Sequence, residues 1–146
     1  MLKQELMQDL KAAMKERDVI KKDTITMLRA AILQVEKDKQ ITLEEDAILE
    51  IVAKEVKKRK ESKDEFLKAG REDLVANLDK EIEILNKYMP KQLTEEEVEA
   101  LVKEAIKEEN ATTPRDMGKV MKNLKPKVAA KADGKLVSSI VKKLLV

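Results

Sequence analysis

Apolar residues recur every three or four positions through almost the whole chain, and very little interrupts them. Three glycines and three prolines are all that 146 residues contain. Strand-and-turn architectures need many such breaks, whereas a 3.6-residue rhythm lays one apolar stripe along a helix. Lys and Glu dominate between the stripes, and both are good helix formers that suit the wet side of a bundle. The chain is expected to be all-α.

The few breaks set the segmentation. Leu2, Leu6, Leu10, Ala13 and Met14 share a face, so residues 2 to about 17 form a first helix. A second starts near 19, carries Ile25, Leu28, Ile32 and Val35, and dissolves in "EKDKQ". Thr42 and Glu45 have capping-box spacing and open a third helix through Ile48, Ile51, Val52 and Val56. Its outer side holds the pairs Glu50/Lys54 and Glu55/Arg59. Gly70 marks a corner. A fourth helix through Leu74, Leu78, Ile82, Leu85 and Met89 stops at Pro90. Thr94 and Glu97 form a second capping box, with Leu93 and Val98 placed as a hydrophobic staple. The fifth helix buries Val98, Leu101, Val102, Ala105 and Ile106. Thr113, Pro114 and Asp116 start a sixth, which Pro126 ends near Lys125. Asp133 caps a seventh that begins at Gly134. This gives a four-helix N-terminal portion, 1–90, a short "PKQLT" joint, and a small three-helix C-terminal domain, 94–146.

Charge is distributed less evenly than its total of +2 suggests. Residues 1–93 balance at 20 basic against 20 acidic, residues 94–110 are acidic at 2 against 7, and residues 111–146 are basic at 9 against 2. On the sixth helix Arg115, Lys119 and Lys122 lie opposite Met117, Val120, Met121 and Leu124. Lys135, Ser139 and Lys142 repeat the arrangement on the seventh, and Lys125, Lys127 and Lys131 lie between the two. The two readings of these cations are an anion-binding surface and an ordinary solvated face. "KKRK" at 57–60 spreads around its helix among Glu55, Glu61 and Asp64 and reads as a solvated face. Gly118, inside a helix, suggests close approach by another backbone, from a neighbouring helix or a nucleic-acid strand. Gly134 reads as the first residue of a capped helix.

Cysteine and histidine are both missing from the sequence, which removes thiolate chemistry, the commonest general base and the commonest metal ligand. No P-loop or Gly/Ser-rich amidase loop is present, so no catalytic residue and no cofactor is assigned. No apolar run approaches the roughly 20 residues of a membrane span, and the N-terminus lacks a signal-peptide stretch. A cytoplasmic protein with no membrane partner is expected.

With these residues laid out, the chain resembles the YqeY-type proteins of the GatB/YqeY group. The matching elements are "MLRAAI" (27–32), "KKRKES" (57–62), "GREDL" (70–74), "EIEIL" (81–85), "YMPKQLTEEE" (88–97), "DMGKVM" (116–121) and "KADG" (131–134). The C-terminal portion is also similar to the tail domain of the B subunit of the bacterial tRNA-dependent amidotransferase. The resemblance places Gly118, Lys119, Met121, Lys131, Ala132 and Asp133 in the tail's pattern. Ala130 and Gly134 depart from it, standing where the tail often has glycine and proline. The cradle domain that carries that enzyme's ATP and metal sites has no counterpart in these residues.

The resemblance implies a non-catalytic module for tRNA or tRNA-like structured RNA, with an amidotransferase or another protein as a further partner. The RNA-binding residues would be Arg115, Lys119, Lys122, Lys125, Lys127, Lys131, Lys135 and Lys142, around a corner shaped by Gly118, Asp133 and Gly134. An adaptor that binds only proteins is the alternative. A glutamine-dependent carbon–nitrogen ligase activity, implied by the family label alone, is the third reading. The residue inventory yields one direct expectation. Purified protein should neither hydrolyse glutamine nor consume ATP, and a glutaminase rate abolished by mutating one of its own residues would refute this.

Overall fold

Seven α-helices and no strand make up the protein in a computed structural model that describes all 146 residues. The chain divides into two compact units, Met1–Met89 and Pro90–Val146. The first holds α1 (Leu2–Glu16), α2 (Val19–Lys39), α3 (Glu45–Lys68) and α4 (Glu72–Asn86). The second holds α5 (Glu95–Glu108), α6 (Met117–Val128) and α7 (Gly134–Leu144). The all-α expectation stands.

Four helices end in one device. Arg17 (φ 60°), Gln40 (φ 54°), Gly70 (φ 73°) and Asn110 (φ 51°) take left-handed backbone just past α1, α2, α3 and α5. At the first of these the Asp18 N–H donates to the Ala13 carbonyl at 2.9 Å and the Arg17 N–H to Met14 at 3.3 Å. The same two bonds recur at the other three ends, so two of the carbonyls left over by each helix find donors and the chain reverses. Glycine tolerates this backbone, whereas an L side chain opposes it by about 1–2 kcal/mol. Only Gly70 among the four avoids that cost.

Tertiary partners move three boundaries away from the sequence expectation. The "EKDK" stretch stays helical to Lys39 because Glu36 accepts from Lys3 of α1 at 2.6 Å and from the Leu43 N–H at 2.7 Å. Those bonds also bury Leu43 and fix the loop, so α3 starts behind Glu44 and Thr42 does not act as its cap. Pro126 lies inside α6 instead of ending it. Its ring is exposed and removes one ladder donor, while the next turn is kept by buried Val128 and by the Ala129 N–H donating to Lys125 at 3.0 Å.

The first unit packs Leu6, Ile25, Leu28, Ile32, Ile48, Val52 and Leu85 into one core. Val75 and Ile82, with half-buried Leu74 and Leu78, line the inner side of α4. Tyr88 is also buried, and its hydroxyl donates to the Asp9 carboxylate. Burial works to raise the Asp9 carboxyl, but the Tyr88 hydrogen bond and Lys87 together hold it below the usual range. Desolvation and that anion push the Tyr88 phenol well up.

The "KKRK" run is not one solvated face. Lys58 and Lys60 are exposed, but Arg59 is only 7% exposed and is the one buried cation of the protein. Its guanidinium donates to the Glu55 carboxylate at 2.9 Å and carbonyl at 3.1 Å, and pairs with Glu81 of α4 at 3.6 Å. One edge reaches Met27 of α2. The Glu55/Arg59 pair therefore points inward, because α4 brings a second carboxylate over that face of α3. Removing the cation leaves two partly buried carboxylates facing each other. Arg59→Ala should cost about 2–4 kcal/mol, since Glu81 keeps some access to water, and Arg59→Lys should recover little of it. Denaturant melts of the two variants check this.

Candidate nucleic-acid interface

The basic residues singled out in the sequence all lie in the second unit. α5 is set by a capping box, in which the Thr94 hydroxyl accepts from the Glu97 N–H at 3.1 Å and Glu97 accepts in return from the Thr94 N–H at 3.4 Å. Leu93 packs against the core that Val98 enters, which is the expected staple. α5, α6 and α7 each pack on the other two, burying Val98, Val102, Ala105, Val120, Leu124, Val137 and Val141. A unit of this size has little stability to spare, so each inward position is spoken for by aliphatic side chains.

Asp116 starts α6. Its carboxylate accepts from the Thr112 N–H at 3.0 Å and the Thr113 N–H at 3.2 Å, across a 3₁₀ turn over Pro114–Asp116. Those two backbone donors, aided by Lys119, hold the carboxyl below the ordinary carboxylate range. Glu108 is held down in the same direction by Asn123 and Lys127.

The corner between α6 and α7 is built from backbone. Ala129 (φ −54°, ψ 125°) and Ala130 (φ 60°) have the dihedrals of a type II turn, closed by the Lys131 N–H donating to Val128 at 2.9 Å. Such a turn favours glycine at its third residue, where this chain has Ala130. The joint segment is tied to the corner: the Leu93 N–H donates to the Lys131 carbonyl at 2.8 Å, and the Gln92 side chain donates to the Ala130 carbonyl at 2.8 Å. Asp133 then caps α7, accepting from the Lys135 N–H at 3.0 Å, with Gly134 as the first helical residue. Both residues have the structural role read from the sequence.

Arg115, Lys119, Lys122, Lys125, Lys131, Lys135 and Lys142 are exposed. The salt bridges of this unit are Lys103–Glu99 and Lys127–Glu108, so none of those seven is neutralised by a bridge. Lys119 and Lys122 lie on the side of α6 away from Val120 and Leu124. Lys135 and Lys142 lie away from Val137 and Val141 on α7. Lys127 differs. It is half-buried, bonds Asn123 at 3.0 Å and bridges Glu108 at 3.4 Å, while Asn123 donates to Glu108 and Glu109. It fastens α6 to α5. At Gly118 a Cβ would meet no atom within 4 Å, so of its two readings the close approach of a neighbouring helix does not hold. Lys91, which the sequence left in the joint, is exposed and belongs to this unit. The staple residue Leu93 was the signal that could have placed it there.

Fold and surface together define a small helical protein of two units, one of which carries a basic surface outside an aliphatic core. The chain belongs to the YqeY-like protein family, whose model matches residues 3–145. Among curated relatives it is similar to the "altered inheritance of mitochondria protein 41, mitochondrial" of several fungi. The protein from Lachancea thermotolerans is 37% identical over 112 residues, covering 75% of this chain and 60% of the relative. That from Eremothecium gossypii is 44% identical over 85 residues, covering 58% and 46%. That from Pyrenophora tritici-repentis is 30% identical over 125 residues, covering 82% and 69%. The chain thus spans about half to two thirds of the length of these relatives. Their names place them in mitochondria, which a plain cytoplasmic expectation does not match. No helix of this protein is long and apolar enough to cross a membrane.

Two outcomes are expected from the geometry. Ala130→Gly removes an L side chain from left-handed backbone and should stabilise the second unit by about 1 kcal/mol, visible as a raised melting midpoint. The second concerns acid. Asp116 and Glu108 have folded pKa values below their ordinary 3.8 and 4.5, so what they contribute is complete above those values and is lost as pH falls through the depressed ones. Amide protection factors of α5–α7 in the full chain should therefore begin to fall as pH drops below 4.5 and fall further below 3.8, and Asp116→Asn should flatten the lower part of that dependence.

Proposed function

We propose that the protein is a non-catalytic module that binds folded, duplex-rich RNA of the tRNA class through the basic surface of its second unit. The observation that carries this reading is the run of cations from the 3₁₀ turn before α6 through α6, the corner and α7, Arg115 to Lys142, of which the exposed ones enter no salt bridge. A face that serves only solvation usually mixes both signs, as α1 to α4 do. The resemblance of this unit to an amidotransferase tail domain, which engages the body of tRNA, supports the same partner. It also supports an accessory role in tRNA-dependent amide transfer. The membership of the YqeY-like family is compatible with it.

The aromatic inventory refines the partner. Readers of single-stranded RNA stack bases on aromatic side chains, each stack contributing about 1–3 kcal/mol. Tyr88 is buried against Asp9, Phe66 is half-buried in the first unit, and the second unit has no aromatic residue. The surface can follow phosphates and helical shape, but it offers no platform for bases.

The test is a titration with purified tRNA across salt. If about four cations reach phosphates, log affinity should fall with log salt at a slope of order −3 to −4, treating duplex RNA like duplex DNA. Changing Lys119 and Lys122 together to Glu should weaken binding by on the order of tenfold or more and flatten the slope. The melting midpoint should barely move, because neither side chain is in the core. Changing Lys58 and Lys60 the same way should do much less. Equal affinity for unstructured RNA of the same length, or an effect confined to residues 57–60, would defeat the reading and favour a protein-binding adaptor.

A further inference from the structure

The tie between the joint segment and the α6–α7 corner brings together cations that lie far apart in sequence. Lys91 precedes Gln92 and Leu93, and those two residues hydrogen-bond the carbonyls of Ala130 and Lys131, both at 2.8 Å. Gln92 also reaches back to the Pro90 carbonyl at 3.0 Å, so its one amide group bonds both its own segment, next to Lys91, and the corner. Lys91 and Lys131 thus lie on segments that two hydrogen bonds tie together, although forty positions separate them. Both are exposed and neither enters a salt bridge. The acid of the corner, Asp133, has its carboxylate turned onto the Lys135 N–H.

We propose that Lys91 and Lys131 form one phosphate-binding cluster, with Gln92 as the positioning residue that holds them together. The inference rests on the RNA-binding reading of the same surface and names its fixed point. The cations of α6 and α7 project from helices whose outer faces are spaced by the helical rise alone. At the corner, two chain segments that each carry an exposed lysine are tied to one another by hydrogen bonds. A phosphate bound there bridges the segments and locks the joint onto the unit, which an isolated surface lysine cannot do. Ligand binding and order of the 90–93 segment are therefore linked.

The experiment uses the full chain, purified tRNA, and limited trypsin digestion with cleavage after Lys91 as a second readout. Lys91→Glu and Lys131→Glu should each weaken tRNA binding several-fold and reduce the salt slope by about one. The double variant should lose less than the product of the two, as expected for cations sharing a phosphate. Gln92→Ala removes no charge, yet it should weaken binding and speed cleavage after Lys91 in the free protein. Saturating tRNA should slow that cleavage in the wild type. Lys107→Glu, an exposed cation on α5 outside the cluster, is the control and should leave binding nearly unchanged. Wild-type affinity for Lys91→Glu, while the Lys119/Lys122 double variant is impaired, would overturn the cluster and leave the RNA reading intact. Failure of the unaltered protein to bind tRNA would overturn both. Cleavage after Lys91 at the same rate with and without bound tRNA would remove the link between ligand and joint, and the proposal with it.

Discussion

A helical chain this poor in glycine has to reverse direction with residues that resist doing so, and the fold is shaped by how it meets that constraint. Arg17, Gln40 and Asn110 enter left-handed backbone at helix ends, and Ala130 enters it in the α6–α7 corner. Each is held there by a pair of hydrogen bonds onto the preceding helix or turn. The bonds alone do not make such a conformation favourable for an L side chain. The next helix along the chain supplies the difference: it buries an aliphatic stripe, and the gain from that burial exceeds the local cost. The tightness of the turns and the completeness of the cores are therefore one property of the chain. A loosened core would let the reversals relax, and the helices would lengthen or fray at these residues first.

Polar contacts that cross between helices are few, and they are concentrated. In the first unit Arg59 joins α3 to α4 through Glu55 and Glu81, and Glu36 joins α1, α2 and the loop that leads into α3. In the second, Asn123 and Lys127 join α6 to α5 through Glu108. Aliphatic side chains slide over one another at little cost, so a core made only of Leu, Ile and Val specifies helix register weakly. Directional contacts on α1–α2, α3–α4 and α5–α6 supply what the core lacks there. This division of labour leaves the remaining lysines of α6 and α7 free of any internal duty.

The local signals in the sequence were legible because their partners are local. Thr94 with Glu97, Asp133 with Gly134, and Pro90 after the α4 stripe all mark boundaries that hydrogen bonds within four residues decide. Apolar spacing likewise gave the inner faces of α5, α6 and α7. Residues whose role depends on a distant segment were not legible. Glu36 keeps α2 helical by way of Lys3, thirty-three positions away. Arg59 turns inward only because α4 presents Glu81, and Lys127 is occupied only because α5 presents Glu108. Pro126 reads as a stop in the sequence, since nothing in its neighbourhood shows that Val128 is wanted in the core. At the surface, spacing identified most of the cations that face outward, whereas only the bonds from Gln92 and Leu93 to the corner tie the segment carrying Lys91 to α6 and α7.

The order of charge along the second unit has a kinetic meaning. Residues 94–110 carry seven acids and residues 111–146 carry nine cations, all within three short helices. Such a unit is an electric dipole, with α5 toward one pole and α6 and α7 toward the other. In the field of a polyanion it experiences a torque before any atoms touch, and it approaches with its cationic pole leading. A uniformly basic domain of equal net charge would be drawn in just as strongly but in every orientation, and most of its collisions would be unproductive. Separation of charge within a nearly neutral chain converts attraction into alignment over a range of about 10 Å at moderate salt. The small net charge of the protein therefore limits indiscriminate adhesion while leaving this orienting effect in place.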